Sequence, residues 1–201
     1  MRSVPLKTMI FALALTLMMG TSMAQAGQPI AVVKRVIENA LDVLKNPSYT
    51  QAQKHRMVKS MVDPHFDYRE MAKLSLGATW NRLSPGQRDE FVHLFADLLE
   101  ASYADKIIKY AQRVKIDYTS EIPMGNRVEV RTVVVRPNDR IPLNYRLIQE
   151  NGIWKIYDVI IEGVSLVNNY RSQFRRIIQK DSYAGLVRRL RNKVSESHQT
   201  G

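Results

Sequence analysis

The sequence predicts an α+β domain: several helices packed on a strongly curved antiparallel meander of about four strands. Two observations carry this. Apolar residues recur every three to four positions from Ile30 to Tyr110, and from Val114 onward they recur every second residue, the two periods of helix and strand. A block of helices followed by a meander, with helix returning at the end, is the layer pattern of an α+β domain.

The elements follow in order. Ile30, Val33, Ile37, Leu41 and Leu44 fall on one helical face, and Asn46-Pro47 stops that run. A second helix is expected over Gln51 to Met61, ending before Asp63-Pro64. A third covers Phe66 to Leu76, with Gly77 as its left-handed stop. Ser84-Pro85-Gly86-Gln87 is the clearest local signal: a Ser cap, Pro at the first helical position and Gln placed to close a capping box. The helix it opens carries Phe91, Phe95, Leu98, Leu99, Tyr103 and Ile107 and runs to about Tyr110.

Strands are then expected around Val114, Ile116 and Tyr118; around Val128, Val130 and Val134; and around Leu143, Tyr145 and Leu147. Turns at Met124-Gly125-Asn126 and Pro137-Asn138-Asp139 separate them. Asn151-Gly152 is a strong type I′ hairpin signal leading into Trp154 to Ile161, a strand apolar on both faces at its far end and therefore expected to be central. The closing helical segment places Val167, Tyr170, Phe174, Ile177 and Ile178 on one face, with Leu186, Val187 and Leu190 on a last turn or two.

The first residues read as an export signal. Arg2 and Lys7 precede the apolar stretch Met9 to Met19, which is shorter than the roughly 20 residues a spanning helix needs, and Ala24-Gln25-Ala26 supplies a cleavage site. The expected organisation is a signal peptide over residues 1–26 and a single domain over 27–201, exported to an extracytoplasmic compartment. No cysteine is present, so a lipid-modified N-terminus, disulfides and thiolate metal sites are all excluded.

The chain has a net charge of +11, and +9 once Arg2 and Lys7 leave with the signal, from 28 Lys and Arg against 19 Asp and Glu. In an exported protein such an excess points to anionic lipid surfaces or acidic proteins instead of nucleic acid, or simply to a soluble surface. Much of it lies in Arg171, Arg175, Arg176, Lys180, Arg188, Arg189, Arg191 and Lys193, which serve equally as a solvated helix face or a docking patch.

Catalytic signatures are scarce. His55, His65, His93 and His198 show no metal-ligand spacing, and there is no GxSxG elbow or phosphate loop. Asp158, interrupting an apolar strand, is the one candidate general base; the alternative is a carboxylate satisfied by Arg or Tyr at the sheet rim.

A series of motifs resembles one family across nearly the whole exported chain. Phe66-Asp67-Tyr68-Arg69-Glu70-Met71-Ala72, Trp80, Leu83-Ser84-Pro85-Gly86-Gln87-Arg88, Trp154-Lys155-Ile156-Tyr157-Asp158-Val159, and Gly163-Val164-Ser165-Leu166-Val167-Asn168-Asn169-Tyr170-Arg171-Ser172-Gln173-Phe174 are similar to the MlaC-type periplasmic phospholipid carriers, also called the toluene-tolerance auxiliary family. The last block is the most specific; the Trp154 strand alone is shared with many NTF2-like domains. Departures are confined to the ends and the loop near Met124.

The resemblance implies an NTF2-like fold with a deep apolar pocket for phospholipid tails. It also implies a non-enzymatic periplasmic shuttle between an inner-membrane ABC transporter complex bearing an MCE-domain protein and an outer-membrane lipoprotein complex, maintaining outer-membrane lipid asymmetry. No cofactor is expected beyond phospholipid as cargo, and no metal or nucleic acid. From strand alternation and the stripe of the long helix, the expected lining is Leu94, Leu98, Tyr103, Val128, Val130, Val134, Leu143, Tyr145, Leu147, Ile156 and Phe174. Two rivals stand beside this: an NTF2-like enzyme using Asp158 as base, and a basic protein-binding module with a filled core.

Overall fold

A computed structural model describes residues 28–111 and 114–200, with the side chains of 197–200 left aside; the signal-peptide expectation over residues 1–26 lies outside them. The chain forms α1 (Pro29–Lys45), α2 (Gln51–Val62), α3 (Tyr68–Leu76) and α4 (Pro85–Tyr110), then β1 (Lys115–Met124), β2 (Arg127–Arg136), β3 (Asp139–Glu150), β4 (Ile153–Ile161), β5 (Val164–Ser165) and α5 (Leu166–Thr200). The strands pair in sequence order as one open antiparallel sheet.

Local chemistry accounts for the helix starts. Ser84 Oγ accepts from Gln87 N (3.3 Å) while Gln87 Oε1 accepts from Ser84 N (2.9 Å), the capping box expected before α4. Thr50 and Gln53 form a second one before α2. The third helix starts later than expected, at Tyr68. Phe66 is extended and bridges Ile156 of β4, Asp67 N donates to Ile156 O (2.8 Å), and Asp67 Oδ1 then caps Glu70 N (2.8 Å).

Gly77 ends α3, but at φ 55 and ψ −130 instead of the left-handed helical region. A Cβ there would lie 3.0 Å from Arg171 Nε, a flexible side-chain end that can move aside, so it is the backbone angle that calls for glycine. Helix α5 covers the closing segment expected from Val167 to Leu190 and runs on to Thr200, with a break at Ser182 (φ 67, ψ 173).

The Asn151-Gly152 turn has both residues at positive φ, as a type I′ hairpin requires. Glu162 (φ 51) and Gly163 (φ 81) repeat that geometry and set the two-residue β5, a fifth strand too short to show alternation in the sequence. Strand β4 is apolar on both faces for a different reason than a central place in the sheet. It pairs with β3 along its length, but its other edge meets only β5 and the Phe66 bridge, while α3 and α5 pack against it.

Two register shifts shape the sheet. In β1 the shift falls between Tyr118 and Ser120; in β4 Tyr157 is the extra residue, because Arg146 opposes Asp158 while Leu147 opposes Ile156. Such bulges bend a strand and increase its twist. Tyr157 also reverses the alternation of β4: Ile156 before it, and Val159 and Ile161 after it, share one face with Leu147, Tyr145 and Leu143 of β3.

Burial resolves into two clusters. Phe91, Phe95, Tyr170, Phe174, Leu186 and Trp80 join α3, α4, α5 and Tyr157 into the larger core. Phe174 meets Phe91 and Phe95 edge-on at 5.7 and 5.8 Å. The smaller cluster sets Val33 of α1 on Val128, Val130, Leu147 and Ile156 of the sheet.

Candidate functional site

The inward face of the sheet is filled at one end and empty at the other. Val33 closes the packing over Val128, Val130 and Leu147 and itself borders the open end. Further along the same face Val134, Ile141, Leu143, Tyr145, Val159 and Ile161 border a hollow of about 590 Å³. Its opposite wall comes from α1 (Val36, Ile37, Ala40, Leu41, Leu44), from α2 (Val58, Val62) and from the second half of α4 (Leu99, Tyr103, Ile107, Ile108, Tyr110). The size is that of a small-molecule site, and most of the side chains in its wall are aliphatic or aromatic.

The secondary structure explains why the space is left open. Helix α4 changes roles along its length: Phe91, Phe95 and Leu98 are locked into the helical core, and beyond Leu99 its inward residues meet the hollow. Helix α1 is anchored at its start, where Ile30 N donates to Glu121 Oε1 (2.5 Å) and Val33 sits on the sheet. The later turns of α1 then border the hollow through Val36, Ile37, Ala40, Leu41 and Leu44.

Besides Glu162 of the β4–β5 turn, charged groups border the hollow in two places. Beside α2, Lys59 Nζ lies 2.6 Å from Glu100 and 3.1 Å from Asp63, His55 lies 3.2 Å from Glu100, and Tyr68 Oη donates to Asp63 Oδ1 (2.8 Å). Burial works to lower the Lys59 pKa, but the bonds to Glu100 and Asp63 outweigh it and hold it above the ordinary value. The second place is at the C-terminal end of α4, where Lys106 and Arg136 border the hollow beside Tyr110. Burial raises the phenol pKa values of Tyr68, Tyr103 and Tyr145 in this wall, with Tyr103 pushed up to about 12.

Of the eleven residues expected to line a pocket, Tyr103, Val134, Leu143, Tyr145 and Ile156 border the hollow. The other six do not. Val128, Val130 and Leu147 are on the right face but lie under Val33, and Leu94, Leu98 and Phe174 belong to or pack on the helical core. Alternation identifies a face; it does not say which part of the face another element covers. The walls from α1 and α2 are absent from the expected set. A signal for α1 exists in the paired apolar residues Val32-Val33, Val36-Ile37, Ala40-Leu41 and Val43-Leu44, a stripe wider than one packing contact uses.

Asp158 is only 3% exposed and fully engaged. Its carboxylate accepts from Ser165 Oγ (2.6 Å) and from Val167 N (3.1 Å), the first turn of α5, and its Oδ2 lies 3.4 Å from Arg146. Arg146 also bonds Glu129 (3.2 Å), giving a charge ladder across β2, β3 and β4. This is the satisfied carboxylate of the two readings, and Asp158 is not part of the hollow's wall.

Part of the basic run is neutralised, Arg189 by Asp181 and Arg191 by Glu90. Among the described residues no group of His, Cys, Asp or Glu could hold a metal ion, and no helix is long and apolar enough to cross a membrane.

Comparison with known proteins gives three findings. The family model described as MlaC protein matches residues 34–192. The chain is 23% identical over 163 residues to the intermembrane phospholipid transport system binding protein MlaC of Haemophilus influenzae, covering 79% of this chain and 74% of that one. Its fold is similar, with a TM-score of 0.77 and 24% identity, to a phospholipid-binding protein of Ralstonia solanacearum solved in complex with a phospholipid; the match covers 86% of this chain and 99% of that one.

Proposed function

Because the chain belongs to the MlaC family, we propose that it binds phospholipid with the acyl tails in the hollow between α1, α2, α4 and the sheet, and carries it as cargo without catalysing a reaction. The single observation behind this is the hollow itself, about 590 Å³ of apolar space in a chain whose remaining core is closely packed. Two acyl chains of roughly 16 carbons expose about 30 methylenes, worth on the order of 24 kcal/mol in water at about 0.8 kcal/mol each. Unassisted passage of such a lipid through water is negligible, and a carrier must replace that contact with side chains.

In this reading Tyr103, Val134, Leu143, Tyr145 and Ile156 touch the tails. Residues 1–26 direct export and are removed, the domain over 27–201 works in the periplasm, and lipid moves between the inner and outer membranes to maintain outer-membrane asymmetry. Its partners are an inner-membrane MCE-domain ABC transporter complex and an outer-membrane lipoprotein complex. The name of the Haemophilus relative and the phospholipid in the Ralstonia structure support this reading.

The test is organic extraction of the purified protein with mass spectrometry of the extract, followed by transfer of labelled phospholipid between two vesicle populations. About stoichiometric phospholipid and protein-dependent transfer are expected. A folded protein that yields no lipid and accelerates no transfer would refute the carrier.

A further inference from the structure

We infer that Arg136 and Lys106 form a phosphate-recognition site at the mouth of the hollow, taking the phosphate diester of the lipid headgroup; this rests on the carrier reading above. The mouth is identified by exposure. Ile107 and Tyr110, both bordering the hollow, remain 53% and 49% exposed, so the C-terminal end of α4 is where the apolar space meets solvent.

The charged residues of the wall divide sharply. On the α2 side Lys59 and His55 are matched by Glu100 and Asp63. At the mouth, Arg136 and Lys106 make no ion pair among the described residues. Glu162, which borders the hollow from the β4–β5 turn, and Asp139, the backbone partner of Arg136, bond neither of them.

Arg136 is also held in place. Its guanidinium lies 4.9 Å from the centre of the Tyr110 ring. Lys106 stands one turn before Tyr110 on the same helix face. Three buried side-chain atoms among the described residues have no hydrogen-bond partner: Asp67 Oδ2, Tyr118 Oη and Arg136 Nε. Of these residues only Arg136 borders the hollow. A buried donor on a fixed guanidinium, with no anion of the protein's own, is a group awaiting an acceptor. When tails fill the hollow, the phosphate at the water-facing end is the anion that arrives there, and the planar fork of Arg suits its oxygens.

The test uses lipid-free protein and vesicles holding equal amounts of dioleoylphosphatidylglycerol and dioleoylglycerol, which share tails but differ in the phosphate. Re-isolated wild type is expected to be enriched in the phospholipid over the vesicle ratio. R136M with K106M should lose about tenfold of that enrichment while taking up dioleoylglycerol as before, the scale of lost charge-assisted hydrogen bonds. R136K, which keeps the charge without the fork, should retain part of it; if R136M does not fold, K106M alone should lower the ratio severalfold.

Millimolar inorganic phosphate should leave the wild-type ratio unchanged. An unchanged ratio in the variants, or a wild type that takes both lipids equally, overturns the site. Arg136-dependent capture of inorganic phosphate without lipid, with headgroup selection unaffected, would make it a free-phosphate site and overturn it also. Uptake of neither lipid by wild type would instead strike the carrier reading, and this site with it.

Discussion

Leu143 and Leu147 are on one strand and one face of the sheet, yet the structure gives them opposite roles, and this can be tested by the same substitution at both. Leu147 is 0% exposed and packs among Val33, Val128, Val130 and Ile156. Truncating it to Ala removes apolar contact and leaves a void that its neighbours cannot fill, so Leu147→Ala should cost about 3–4 kcal/mol. Leu143 is half-buried and already faces empty space. Leu143→Ala opens no new void and loses only part of the transfer free energy of the deleted carbons, about 1 kcal/mol.

For a chain of this size each kcal/mol moves Tm by roughly 2–4 °C, so lipid-stripped Leu147→Ala should melt about 5–10 °C below lipid-stripped Leu143→Ala. In lipid binding the order reverses. Leu143→Ala should weaken affinity about fivefold through lost contact with a tail. Leu143→Asp, which places a carboxylate in the apolar wall, should reduce it more than a hundredfold at neutral pH. Circular dichroism melts and titration with a fluorescent phospholipid measure both. Equal Tm losses at the two positions, or wild-type lipid content in a folded Leu143→Asp protein, would refute the division of this face into core and wall.

Asp158→Asn should destabilise the protein by about 2–3 kcal/mol in urea denaturation, because the amide replaces the carboxylate that caps α5 at Val167 and pairs with Arg146, while co-purified phospholipid stays at the wild-type level. An Asp158→Asn protein as stable as wild type but depleted of lipid would return Asp158 to a functional role. Alkaline stability should fall steeply through the phenols of the wall. The pKa values of Tyr68, Tyr103 and Tyr145 are raised in the fold above the ordinary value near 10, so their contribution is intact below pH 10 and is lost as pH rises towards 12 and beyond. Tyr103→Phe should flatten the pH-dependence of Tm between pH 10 and 12; an unaltered slope would show that this phenol does not titrate with unfolding.

Local sequence determined most of the elements of this protein. The Ser84 capping box, the Asn151-Gly152 turn and the change of period after Ala111 are properties of a few neighbouring residues, and each appears in the fold where the sequence places it. Motif resemblance likewise pointed to the family. The wall of the hollow was only partly legible. Strand alternation put Val128, Val130, Val134, Leu143, Tyr145 and Leu147 on one face, but whether a residue on that face is core or lining depends on where Val33 lands and on how far the later turns of α1 stand from the sheet. The bulge at Tyr157 and the bond from Ile30 to Glu121 are contacts between residues distant in the chain, with no trace in local periodicity. A cavity is the absence of packing between elements, and since each lining residue has the same apolar character as a core residue, only their arrangement in space distinguishes the two.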